Sequence, residues 1–383
     1  MWGVTAPSVS CGQTPAELRR RLGGIVALSA REVTAGPAPG ADSCPHSELC
    51  TPAKTTMQRP GSVQQKIPTA FSTAVRDEPA TKRHNQSYRV LATGELSLKA
   101  LEAGIHNAIV TEKVDGSCCY VTKYKDSPYL WARLDRKPTK QAEKRFRRFQ
   151  SSKTSTEFAW NLDDDFRTVT ESWIPAHGVP QVNGRLQPDE NGHIPGWVPV
   201  ERGSKPYCWH LSAVNYDAGL ALVLRPCSEK NLLEITVVPL MELLEQTLEL
   251  VGTHINGNPY GLGNKKQPVH FLISHGSLQI EKPLMLNLTD LITWFEGSPE
   301  GKVEGIVWHC KNGVLFKLHR HHLGLQWPVQ DPYLTARPLF VNVDLTRYEC
   351  DPETKSSFLV FARLNGKQFD HFKDTLWETD AAS

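Results

Sequence analysis

At 383 residues, with 43 Lys and Arg against 41 Asp and Glu, the chain is nearly charge-balanced, so attraction to a polyanion has to come from local patches. The length suffices for one large or two to three smaller packed domains, and no apolar run approaches the roughly 18–20 residues that span a bilayer. Nine cysteines, among them the adjacent Cys118 and Cys119, include no C-x-x-C pair, which speaks against a zinc ribbon or redox motif and for free thiols in a reducing, cytoplasmic or nuclear, compartment.

Residues 1–56 read as a disordered or dispensable extension. "GPAPGADSCPHSELCTPAKTT" is rich in Pro, Gly, Ser and Thr without apolar periodicity. Upstream, "AELRRRLGGIVALSAREV" has the arginines of a mitochondrial targeting helix, but Glu17 and Glu32 weaken that reading, and IVAL is too short for a secretory signal. From about residue 86 the pattern is mixed. "SYRVLAT" and "NAIVTEKV" predict strands around the helical spacing of "SLKALEAGI". "CCYVTKY" and "YLWARL" predict a hairpin turning at 125–128, followed by the helix-forming "KPTKQAEKRFRRFQSSK". Residues 163–206 are loop-rich. "YCWHLSAVNYD" with "GLALVLRP" reads as a second hairpin, "LLEITVV" and "TLELVGTHI" as strands around a helix-like "PLMELLEQ", and "TDLITWFEG" as a short helix capped by threonine. "KVEGIVWH" and "VLFKLH" form the clearest hairpin, with Asn312-Gly313 as its turn.

The chemistry concentrates in "TEKVDGSCCYV", residues 111–121. Strand alternation puts Lys113 and Asp115 on one face, and Gly116 releases the chain. In the late hairpin a two-residue loop pairs position 308 with 317, which puts Glu304 and Lys317 on one face with Ile306, Trp308 and His319. A four-residue loop keeps that parity; a three-residue loop breaks it. Charges on an inward face need partners or a ligand. K-x-D-G alone arises by chance in roughly one such chain in ten. The ordered set carries more weight: K-V-D-G, then E-L-V-G from Glu249, V-E-G-I-V-W around Glu304, and L-F-K-L-H around Lys317.

That set resembles the covalent nucleotidyltransferases, which comprise RNA ligases, DNA ligases and messenger-RNA capping enzymes. DNA ligases and capping enzymes usually follow K-x-D-G-x with arginine, whereas Cys118 stands there here and K-x-D-G-S is the RNA-ligase form. From Met57 onward the chain is similar to the vertebrate 5′-to-3′ ATP-dependent RNA ligases, through "TEKVDGSCCYV", "YLWARLDRKP", "PDENGHIPGWVPVE", "INGNPYGLG" and "LHRHHLGL". The resemblance implies an α+β nucleotidyltransferase fold of antiparallel sheets flanked by helices. It implies an adenylyltransferase domain over 57–325, and a 326–383 segment that packs on it or contacts RNA.

It also implies roles. Lys113 would attack the α-phosphate of ATP and carry AMP as a phosphoramidate; the AMP would pass to an RNA 5′-phosphate, and a 3′-hydroxyl would displace it. Attack needs a neutral amine, and an unperturbed lysine near pKa 10.4 lies about 3.4 units, or roughly 4.6 kcal/mol, from half-deprotonation at pH 7. Burial, Lys317 and a divalent metal would each lower that cost. Lys317 matches the lysine on the α-phosphate, Glu304 the acid beside the lysine and the metal, Glu249 the acid on the ribose, and Arg133 the nucleotide-binding arginine, with Arg136 a rival. Asp115 and Gly116 belong to the same nucleotide motif. The usual K-x-K of the last motif is K-L-H here, so His319 replaces a lysine. Hard oxygens such as those of Glu304 suit Mg²⁺ or Mn²⁺. The segment 133–153 holds nine Lys or Arg against two acids, either a solvated helix face or an RNA path, and "HRHH" at 319–322 is a polar strand exit or a phosphate contact. His193 and His210 read as structural, and Trp197 and Trp209 as core or as stacking platforms. The expected partner is RNA with 5′-phosphate and 3′-hydroxyl ends, with no membrane and a monomeric protein. An RNA guanylyltransferase and an inactive RNA-binding relative are the alternatives.

Overall fold

"GLALVLRP" and "LLEITVV" are almost continuously apolar, the signature of strands covered on both faces, and they lie at the middle of the largest sheet. The computed structural model describes residues 62–78, 88–152, 158–227, 231–281, 284–348 and 357–375; the expectations for residues 1–56, and for Lys153, fall outside them. The strands of four residues or more are β1 Phe71–Arg76, β2 Arg89–Leu96, β3 Ile109–Lys113, β4 Ser117–Tyr124, β5 Ser127–Arg133, β6 Gly196–Pro199, β7 Leu220–Pro226, β8 Leu233–Pro239, β9 Gln246–Gly252, β10 His270–Ser274, β11 Gly305–His309, β12 Leu315–His319 and β13 Leu339–Asn342.

Two sheets matter for function. The large one runs β13-β8-β7-β10-β9-β4-β5-β6, and the small one β12-β11-β3. The small sheet is antiparallel throughout; the large one also contains two parallel contacts, β7 with β10 and β8 with β13. The α+β class expected from the sequence holds, with strands dominating and few helices. One face of the large sheet packs Leu222, Ile235, Val251 and Phe271 against Phe358, Phe361 and Phe372. The other packs Val223, Leu250 and Leu272 against Leu240 and Val198. The small sheet rests Ile306, Trp308, Phe316 and Leu318 on Phe71, Ile105 and Phe295. The chain crosses from the small sheet to the large one once in this region, through Val114-Asp115-Gly116 between β3 and β4.

Several local expectations change in the structure. "CWHL" is a helical turn, Cys208–Leu211, so only Val214 and Asn215 pair with β7. "PLMELLEQ" shortens to a 3₁₀ turn at Leu240–Leu243. The Leu288–Gly297 helix is capped by Asn287, whose side chain accepts from the Thr289 and Asp290 N–H groups, rather than by threonine. Strands β1, β10 and β13 have no counterpart among the sequence expectations, and β6 is a buried strand inside the 163–206 stretch expected to be loop.

The late hairpin shows the most consequential difference. Val307, not Trp308, lies opposite Lys317, and Gly305 lies opposite His319. The Cys310 N–H donates to Val314 O, which leaves 311–313 as an odd-numbered loop, the case that breaks the expected parity. Ile306 and Trp308 therefore point into the core beneath the sheet. Glu304 still reaches the Lys113 face because it precedes β11 and is outside its alternation.

Candidate active site

Antiparallel register across the small sheet sets Lys113 opposite Gly305, and Gly305 opposite His319. One step along, Thr111, Val307 and Lys317 form a row. The odd-numbered positions thus face a cavity of about 320 Å³ lined by Thr111, Lys113, Val307, His309 and Lys317. The large sheet forms the opposing wall with Cys118, Arg133, Glu249 and Ile273, and the 63–67 segment adds Lys66. A volume of this size and mixed apolar and polar lining is that of a small-ligand site.

Lys113 Nζ donates to Glu304 Oε2 at 2.6 Å; the lysine side chain is 24 % exposed and the glutamate 3 %. Burial pushes the Lys113 ammonium down, but the charges of Glu304 and Glu249 outweigh it, and the net direction is up. In this resting arrangement the lysine is a protonated ion-pair partner. His319 Nδ1 lies 3.3 Å from Glu304 Oε1, and burial pushes that imidazole down to about 3. His319 thus sets a neutral ring beside Glu304.

Gly116 is dictated by space. A Cβ there would sit 2.2 Å from Leu250 O and 2.8 Å from Glu249 Cγ, so any side chain would push the crossing away from β9. Asp115 does not line the cavity. Its carboxylate accepts from Asn256 Nδ2 at 2.9 Å and Trp327 Nε1 at 2.7 Å, and its N–H donates to the Tyr260 hydroxyl at 2.8 Å. These bonds pin the crossing two residues beyond Lys113. Arg133 lines the cavity, donates to Asp135 Oδ1 and Gln64 O at 2.6 Å each, and lies over the Trp197 ring. Arg136 instead donates to Arg167 O and covers Phe166. Glu249 lies opposite Cys118 and Ile273 in register, and its Oε2 is 2.8 Å from His275 Nε2.

The sequence did not flag His275, Thr111, His309 or Lys66. His275 follows a strand the pattern missed, and Lys66 lies in an irregular stretch, where it pairs with Asp189 at 2.9 Å and approaches His193 Nδ1 at 2.8 Å. Of the "HRHH" run, Arg320 is buried and donates to Phe295 O, Gly301 O and Gln326 O, and His322 is buried as well. Those two hold the hairpin base and do not face outward to a phosphate. Trp197 is fully buried and Trp209 stacks on His270.

The sequence that builds this site is similar to known proteins. The family model described as RNA ligase 1 matches residues 57–378. The chain is 57% identical to rat RNA ligase 1 over 320 residues, covering 83% of this chain and 98% of the relative. It is 56% identical to the orangutan protein and 54% to the zebrafish protein of the same name, each over 324 residues, 84% of this chain and the whole of the relative. By class, then, the chain is an enzyme, a ligase of RNA. Within that class it belongs to the RNA ligase 1 family. Among the described residues no helix is long and apolar enough to cross a membrane.

Proposed function

We propose that the chain joins RNA 5′-phosphate to 3′-hydroxyl ends, with ATP as co-substrate, through an AMP carried on Lys113, and that it does so as a monomer on a nucleotidyltransferase fold. In this reading residues 57–325 form the adenylyltransferase domain and 326–383 brace it. The observation that carries the reading is the Lys113–Glu304 ion pair at the edge of a cavity that also receives Lys317, Arg133 and Glu249.

Attack on the α-phosphorus forms the N–P bond as the bond to pyrophosphate breaks, and the amine proton leaves to solvent. Lys317 and Lys66 offer positive charge to the phosphate oxygens, Glu249 accepts from the ribose, and Arg133 borders the base-binding end. A divalent ion supplies charge neutralisation at the reacting phosphate. Glu304 has the hard oxygens that suit Mg²⁺ or Mn²⁺, but here they face Lys113 and His319. With Lys113 neutral and its proton lost to solvent, Glu304 would exchange that ion pair for the cation, beside the neutral His319 ring. The Lys140–Ser151 helix, with Lys144, Arg147 and Arg148 exposed, is the RNA path in this reading.

The test is incubation with α-labelled ATP, or GTP in parallel, with Mg²⁺ or Mn²⁺ and a denaturing gel. Label from ATP that disappears in Lys113→Ala is expected. Label from GTP alone would move the chemistry to capping, and no label from either would refute the covalent step.

A further inference from the structure

The large-sheet wall of the cavity holds a donor set that the ligation chemistry does not use as such. Cys118, Glu249 and His275 come from β4, β9 and the residue just after β10, three adjacent strands. Register puts Cys118 directly opposite Glu249, and His275 beside Thr247, two residues along β9 on the same face. A thiol sulfur, a carboxylate oxygen and an imidazole nitrogen of the three lie within 4.8 Å of one another.

We infer that Cys118, Glu249 and His275 form a site for Zn²⁺, or another soft divalent cation, that closes the cavity to nucleotide. The inference rests on the proposed nucleotide site for its consequence, but not for the binding itself.

The donors fit the ion. Zinc takes sulfur at about 2.3 Å and nitrogen or oxygen at about 2.0–2.2 Å, so tetrahedral donors lie roughly 3.2–3.8 Å apart. Glu249 Oε2 and His275 Nε2, at 2.8 Å, are slightly inside that spacing, and the 4.8 Å limit is slightly outside it. Side-chain rotation on a fixed sheet spans the difference. His275 also has the outer partner of a ligating imidazole: Nδ1 lies 2.9 Å from Thr247 Oγ1, which accepts from the Val63 N–H at 2.8 Å. As Nε2 gives up the hydrogen it directs at Glu249 and the ring takes the tautomer in which Nδ1 donates to that hydroxyl, Nε2 presents its lone pair to a metal. Binding forms a sulfur–metal bond and releases the Cys118 thiol proton to solvent. The fourth position faces the cavity and takes water. The mixed sulfur, nitrogen and oxygen set prefers zinc to the hard ions that ligation requires, so excess Mg²⁺ does not displace it. Occupation removes Glu249 from a ribose.

The experiment titrates the full-length protein with Co²⁺ as a spectroscopic stand-in, then with Zn²⁺, and in parallel measures labelling by α-labelled ATP in excess Mg²⁺. The expected result is a sulfur-to-cobalt charge-transfer band that saturates at one equivalent, disappears on Zn²⁺ addition and is lost in Cys118→Ser. His275→Gln, a second variant in case the first does not fold, weakens Co²⁺ binding by about tenfold or more. Zn²⁺ halts labelling, a chelator restores it, and the half-inhibiting concentration rises by about tenfold or more in Cys118→Ser. No band, or a band that persists in Cys118→Ser, overturns the site; Zn²⁺ inhibition unchanged in that variant overturns the closure. Absent labelling without zinc would defeat the nucleotide reading instead, and the cobalt band would still decide the metal site.

Discussion

Two neighbouring residues of β3 make ion pairs beside the site, and the two pairs behave differently. Glu112 faces Arg337 at 2.8 Å, with side chains 3 % and 8 % exposed. Lys113 faces Glu304 at 2.6 Å, but its side chain is 24 % exposed and borders the cavity. Burial raises the Glu112 carboxyl against the pull of Arg337, so the first pair is a closed clasp whose desolvation offsets its attraction. In the second the lysine stays within reach of a ligand while its partner is sealed below. One strand thus presents a fixed anchor on one side and a releasable amine on the other.

The sharpest way to break the comparison is to remove each lysine or arginine in turn. Lys113→Ala leaves no covalent label on a denaturing gel and no sealed RNA, while its denaturation midpoint stays near that of the parent. Arg337→Met does the reverse. It leaves Glu112 buried without its counter-charge and costs about 3–5 kcal/mol in urea unfolding, and most of that loss is recovered when Glu112→Leu is added. Next in size, Lys317→Ala lowers the single-turnover labelling rate about 10²–10³-fold, as removal of a phosphate-facing donor does.

Acid dependence gives a smaller effect. A lysine whose pKa is raised attacks faster as pH rises, so the labelling rate climbs with pH from neutral upward. Glu304→Gln removes the largest opposing charge, so that climb moves to lower pH, whatever the height of the plateau. Stability changes at the other end of the scale. Burial pushes His270 and His309 down to about 4, so the unfolded chain binds more protons below its own pKa near 6.5. Each ring therefore removes about 1.4 kcal/mol per pH unit between roughly 6.5 and 4, and none above 6.5. Thermal melts across pH 4–8 measure it.

What the sequence made legible was local or close in pattern. Lys113, Glu249, Glu304 and Lys317 stood out because strand runs flank them and their order matches a family, and all four meet at or beside one cavity. The shared face of the late hairpin was predicted for a reason the structure does not uphold. Loop length sets strand register, and a pattern with two turn residues at 312–313 does not reveal that 311–313 form the loop. Asp115 looked like a ligand contact from strand alternation and from the motif it belongs to, yet its partners Asn256 and Trp327 are 141 and 212 residues away. Such distances leave no local mark. His275 was illegible for the same reason, since its meaning comes from strands that pair across the sheet.

The braces on either side of Lys113 also have an order in time. Synthesis delivers Lys113 in the first third of the chain, at about 5–20 residues per second. Glu304, Trp327, which holds Asp115, and Arg337, which holds Glu112, all emerge in the last quarter. A nascent chain still on the ribosome therefore displays the lysine without its counter-ion or either clasp. The small-sheet wall around Lys113 is likewise assembled late, because β11 and β12, which pair beside β3 and carry Lys317, follow Glu304 in the chain.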